Sequence, residues 1–145
     1  MKFLQQLNLF YNHFLIRLIR DPQKYLYLPL GAYWIILFIA TSIPTIPMPR
    51  IFDAQDKFEH FIAYFILGSL LTLSLAIQNR VSAIKRRFAL FSFLIIICYA
   101  AVDELHQLLI PGRYCDFLDW SADVIGGVIG ILTIKLFLKN KLGSA

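Results

Sequence analysis

The chain has 145 residues, enough for one compact unit and too few for two independent domains. Hydrophobic residues make up 59% of it and charged residues only 16%, where a soluble domain averages about 25% charged, so a water-soluble globular protein is excluded. A net charge of +5 would suit nucleic acid, but the basic residues cluster between apolar runs, so the charge is a topology signal and no nucleic-acid partner is expected.

Residues 1–24 lead the chain with Phe3, Leu7, Phe10, Phe14 and Leu18 spaced among Gln, Asn, His and Arg. That spacing predicts an amphipathic helix, lying in the inner headgroup region or packing on the rest of the protein, and ended by Asp21-Pro22. The polar lead is too long for a cleaved signal peptide. Residues 25–145 then carry four apolar runs of about 20 residues, the length that spans a bilayer: Tyr27–Ile46, Phe58–Ile77, Phe88–Ile110 and Trp120–Leu138. Pro29 sits near the start of the first run, where a missing N–H costs little. The three prolines of "SIPTIPMPR" predict an extended loop after it. In the last run Ala122, Gly126 and Gly130 form a strip of small residues of the kind that lets helices approach closely in lipid. The predicted fold is all-α: a polytopic four-helix transmembrane bundle with an N-terminal amphipathic helix and a short basic C-terminal tail.

Of the 14 Lys and Arg residues, all but Arg50, Lys57 and Arg113 fall at the N-terminus, in the loop between the second and third runs, or near the C-terminus. The positive-inside rule therefore predicts that both termini are cytoplasmic in a multi-pass inner-membrane protein. The acids run the other way: of nine, only Asp21 falls on the cytoplasmic side. The remaining eight lie in the outer half of the bundle, a polarisation that the rule for Lys and Arg does not demand. Cys98 within the third run and Cys115 in the outer loop are too far apart for a disulfide.

Three polar clusters gather at that outer end. In "DKFEHFIAYF", Asp56, His60 and Tyr64 recur every fourth residue and stack on one helix face. Asp56 and Glu59 also suit a helix N-terminus, but His60 and Tyr64 lie below it. In "DELHQ", Asp103 and Gln107 share a face beside Glu104, near a helix C-terminus whose dipole opposes carboxylates. A charge in the middle of a span costs about 2.5–3.5 kcal/mol, so these acids must be paired, protonated or bound to something. In "PGRYCDFLDWSAD", Arg113 is suited to a bidentate contact with carboxylate or phosphate or to a salt bridge with Asp103 or Glu104. Asp116, Asp119 and Asp123 follow it, the first two again at a helix start. An ion-pair network that only fixes helix packing is the alternative to a working site.

"DKFEHFIAYFILG" followed by "DELHQLLIPGRYCDFLDWSADVIGGVIG" resembles the VanZ-like family of bacterial integral membrane proteins, over roughly residues 30–138. The family pattern falls on Asp56, Lys57, His60, Tyr64, Asp103, Glu104, Gln107, Arg113 and Asp119, ahead of a Gly-x-x-x-Gly helix; Asp123 stands where Asn is expected. The resemblance implies a cell-envelope protein. The founding member is linked to low-level resistance to the glycopeptide antibiotic teicoplanin, and the likeness does not extend that resistance to this chain.

The residues support an outer-facing pocket acting on an outer-leaflet lipid or cell-envelope precursor. Its catalytic candidates are His60, Asp56, Asp103 and Glu104, with His60 or Glu104 as acid or base and Asp56 or Asp103 orienting the histidine. Its ligand-binding candidates are Lys57, Tyr64, Gln107, Arg113, Asp119 and Asp123, with Lys57 and Arg113 on an anionic head group of a lipid-linked ligand. No Ser–His arrangement is present. No metal is assigned and no cofactor is specified; a metal variant would use His60 with Asp56, Asp103 or Glu104. The alternative is a non-catalytic envelope protein that binds a lipid-linked ligand or a protein partner through the same residues. A transporter ranks third, because four spans show no inverted repeat.

Overall fold

The computed structural model describes residues 16–44 and 54–142, and every regular element among them is helical. Residues 16–20 are helical, and after a break at Asp21 a five-residue π-helical turn, Gln23–Tyr27, runs into α1, Leu28–Ser42. α2 is Gln55–Ile77, α3 the short Ser82–Arg86, α4 Phe88–Gln107 and α5 Phe117–Leu142. Four segments, Gln23–Ser42, Gln55–Ile77, Phe88–Gln107 and Phe117–Asn140, are long and apolar enough to cross a membrane. At ~1.5 Å per residue they match a hydrocarbon core about 30 Å thick.

The helices differ from the apolar runs at their ends, for local reasons. α1 stops at Ser42 because Ile43 precedes Pro44 and is extended, at φ −80° and ψ 129°. α4 stops at Gln107, not Ile110. The Leu109 and Ile110 N–H groups turn back to His106 and Gln107 at 2.9 and 3.0 Å, and Pro111 and left-handed Gly112 (φ 78°) then reverse the chain. α5 starts at Phe117, earlier than Trp120, because the Asp116 carboxylate accepts the Leu118 N–H at 2.9 Å and caps the helix. The proline-rich loop falls in residues 45–53, outside the described residues, as do residues 1–15 of the N-terminal segment. The rest of that segment does reach the bundle: Leu18 is buried with Leu26 and Leu73, while Ile16 and Ile19 are exposed.

α2 and α5 form the tightest pair, and the glycine strip is the reason. A Cβ on Gly126 would strike the Phe61 carbonyl and one on Gly130 the Phe65 carbonyl, while a Cβ on Gly68 would lie 2.6 Å from the Gly127 oxygen. The two helices therefore run side by side in the same direction with backbones touching, as the small-residue spacing implies. Leu67, Leu71, Ile96, Ala100 and Ile131 fill the centre, with Leu37 from α1. Ile35, Ile36, Ile39, Leu94, Ile125 and Leu136 are exposed, as side chains facing lipid must be. Within the helices Ser69, Ser92, Ser121 and Thr133 return their hydroxyls to carbonyls one turn back, so these polar groups enter the apolar layer already bonded.

Candidate functional site

The parallel pairing of α2 with α5 brings two N-termini together at the acidic end, and the C-terminus of antiparallel α4 meets them there. Lys57, in the first turn of α2, is the hub. Its ammonium donates to Asp119 at 2.7 Å, Asp116 at 2.8 Å and Asp56 at 3.0 Å, which uses all three of its protons. Asp116 lies between the spans, and the Lys57 ammonium together with the Leu118 N–H holds its carboxyl below the ordinary value of 3.8.

One turn below, His60 meets α5. Its Nδ1 lies 2.9 Å from the Asp123 carboxylate, whose side chain is fully buried. The partner of His60 is thus Asp123, not Asp56 or Asp103 as the sequence suggested. Asp56 is spent on Lys57, and Asp103 accepts the Tyr64 hydroxyl at 3.2 Å. Asp103 and Glu104 are each only 2% exposed. Glu104 accepts the Asp116 N–H at 2.8 Å and the Gln107 amide at 3.3 Å, so it ties α4 to the start of α5. The second Asp123 oxygen is buried without a hydrogen-bond partner among the described residues.

Arg113 does not form the salt bridge to Asp103 or Glu104. Its guanidinium donates to the Ala40 and Ile43 carbonyls at 3.2 and 3.0 Å and, at 3.4 Å, to Gln107. The last carbonyls of α1, of which Ala40 also accepts the Ile43 N–H at 3.4 Å, make a negative pole that a cation satisfies well. His106, also near the acids in sequence, stacks on Phe38 with ring centroids 4.8 Å apart. Both cysteines are free.

The structure therefore brings together Asp56, Lys57, His60, Tyr64, Asp103, Glu104, Gln107, Asp119 and Asp123, and holds Arg113 at the rim through Gln107. Asp116, placed by the sequence in the third polar cluster but not among the site candidates, is a full member of the cluster. Six carboxylates meet there, and among the described residues Lys57 is the one ammonium bonded to them. Three groups from three helices, His60, Glu104 and Asp119, each offer a ligand atom within 4.8 Å of the others.

The family model described as VanZ/LLP1 matches residues 9–138, nearly the whole chain and every residue of the cluster. The chain belongs to the VanZ/LLP1 family. No curated protein and no solved structure matches it at a significant level. The polar residues that carry the VanZ-like pattern in α2, α4 and α5 are thus the same ones that the bundle gathers at one end, with Arg113 of the α4–α5 turn at the rim.

Proposed function

We propose that this VanZ/LLP1 protein is an intramembrane acid–base enzyme. Its substrate is an outer-leaflet lipid or lipid-linked cell-envelope precursor, and its cluster forms a pocket at the extracytoplasmic end of the bundle. The observation that carries the reading is the His60–Asp123 pair at 2.9 Å. A buried carboxylate on Nδ1 fixes the ring and its tautomer and leaves Nε2 as the proton acceptor. Glu104, with an oxygen within 4.8 Å of a His60 nitrogen, is the second proton carrier: it enters protonated and gives that proton to the leaving group while His60 takes one from the attacking water. The Lys57 and Arg113 donors are already engaged, so a substrate head group enters by displacing Asp116 or Gln107 from them.

The orientation rests on the basic residues at the opposite end. Cys115, exposed in the α4–α5 turn, is expected to react with a membrane-impermeant maleimide in intact cells. A cysteine placed at exposed Ala83 in α3 is expected to react only after permeabilisation. The reverse pattern would invert the topology and remove the outer leaflet from the proposal.

The enzymatic reading is tested by lipid profiling of cells that express wild-type protein, His60→Gln or Glu104→Gln at equal folded amounts. Wild-type protein should alter at least one lipid or lipid-linked species, and both variants should leave the profile of cells lacking the protein. A wild-type profile indistinguishable from that of cells lacking the protein rejects catalysis on lipids.

A second reading has one observation in its favour. Lys57, bonded to carboxylates on α2, on α5 and in the α4–α5 turn, is what a scaffold network would look like. In that case the protein binds a lipid-linked ligand or a partner protein without reacting with it, and both variants retain binding or simply unfold.

A further inference from the structure

The sequence assigns no metal to this protein, and the cluster shows a donor set that no single stretch of sequence contains. His60 from α2, Glu104 from α4 and Asp119 from the first turn of α5 each present a ligand atom within 4.8 Å of the others. We propose that these three side chains hold one divalent cation of the zinc class.

The donor chemistry fits. One imidazole nitrogen and two carboxylate oxygens form a borderline-to-hard set that suits Zn(II) and its neighbours, and three protein ligands leave a fourth position open to water or substrate. Ligands lie about 2.0–2.2 Å from zinc, hence roughly 3.4 Å apart in a tetrahedron, so the donors must close by about 1.4 Å at most. Side-chain rotation of Glu104 and Asp119 supplies that. His60 and Asp119 each keep an atom free, and the two Glu104 oxygens, which accept from the Gln107 amide and the Asp116 N–H, each keep a further lone pair. Nδ1 of His60 faces Asp123, and Nε2 has no hydrogen-bond partner among the described residues. Lys57 holds only Oδ1 of Asp119, which leaves Oδ2.

Two further observations point to a cation, apart from the acids being close. Metal-ligating histidines almost always give their second nitrogen to a carboxylate, which orients the ring and raises its basicity. Asp123, wholly buried, does this to His60, and its other oxygen has no partner among the described residues. With its carboxyls ionised, the cluster also carries more negative than positive charge among the described residues. Asp103, Glu104, Asp119 and Asp123 are all buried, and Lys57, the one ammonium bonded in the cluster, is shared with the more exposed Asp56 and Asp116. A divalent ion held by His60, Glu104 and Asp119 offsets that excess where lipid cannot.

The cation would take the Nε2 lone pair that the acid–base reading uses, so with it bound a water in the open position, rather than His60, would be the base. Binding and lipid conversion are read separately, and each can fail without the other. The full chain, purified in detergent and stripped with chelator, is titrated with Zn2+ against a chromophoric competitor. One equivalent should bind per chain. Affinity should fall at least tenfold in His60→Gln and in Glu104→Gln, and by about 10–100-fold in Asp123→Asn, the loss typical of an outer carboxylate partner. Glu59→Gln, at an exposed acid of the same helix, should change nothing. Zinc-edge X-ray absorption of the wild-type protein should show one imidazole with oxygen neighbours. That measurement holds the test open even where a variant fails to fold. Absence of stoichiometric binding, unchanged affinity in folded His60→Gln, or a sulfur shell from the exposed Cys98 or Cys115 overturns the proposal. Zinc binding without any lipid change sinks the enzyme and keeps the site; a lipid change without zinc binding does the opposite.

Discussion

Lys57 and His60 are one turn apart on α2 and do different things. Lys57 spends every proton on carboxylates and joins α2 to α5. His60 keeps one nitrogen uncommitted. Lys57→Met should therefore act on stability. Losing charge-assisted bonds in a partly exposed site should cost about 2 kcal/mol, measured by thermal unfolding in detergent. A pH dependence goes with it. The native Asp116 carboxyl is held below its ordinary 3.8, so its contribution is present above that value and disappears as pH falls through the lowered native one. Acid unfolding of Lys57→Met should lose this limb while the wild type keeps it; identical acid profiles would show that the Asp116 pairing contributes nothing. At this scale the sequence was partly legible. The four-residue spacing of Asp56, His60 and Tyr64 identified a polar face, because helix geometry alone fixes which residues share it. The partners across the interface were not legible, because spacing within one helix is silent about which neighbour it meets. Asp123, read from the sequence as a ligand-binding candidate and an acid where Asn was expected, gains its partner His60 once α5 lies against α2.

The α2–α5 pair positions the site, and its glycines decide its register. Gly126→Ala would drive a methyl group into the Phe61 carbonyl and push the helices apart, with an expected loss of about 3 kcal/mol. Gly31→Ala on α1 meets open space and should be neutral or slightly stabilising. Reversible unfolding in mixed micelles distinguishes the two, and equal stability of both variants would mean that α2 and α5 do not touch backbone to backbone. The small-residue strip revealed this contact in the sequence because close approach in lipid requires small side chains. Helix ends were less legible. An apolar run continues through Leu108–Ile110 although the helix stops at Gln107, since hydropathy does not register the turn that Pro111 and Gly112 impose. That shift matters, because it places Asp103 one turn from the end of α4 rather than two. Arg113 was misassigned for a related reason: the carbonyls that end α1 compete for a guanidinium as well as carboxylates do, and they are invisible in side-chain sequence.

At the scale of the whole molecule, an apolar bundle carries nearly all its carboxylates at one end and most of its basic groups at the other. The spans and their number were legible because a bilayer imposes length and hydropathy together. The convergence of α2, α4 and α5 was foreshadowed only in that all three clusters fell at the same end of their runs. What the assembly adds is a histidine fixed by one acid and faced by two others in a place where lipid gives no reason to keep them. The central claim is that His60 and Asp123 act as one working unit, and a double-mutant cycle tests it most directly. Lipid conversion and melting temperature are measured for His60→Gln, Asp123→Asn and the double variant at matched folded amounts. A working unit predicts that all three fall to the same background level of conversion, since removing either member disables the pair. Conversion losses that add between the two positions, or that only follow the fall in melting temperature, would contradict it and make the pair a strut.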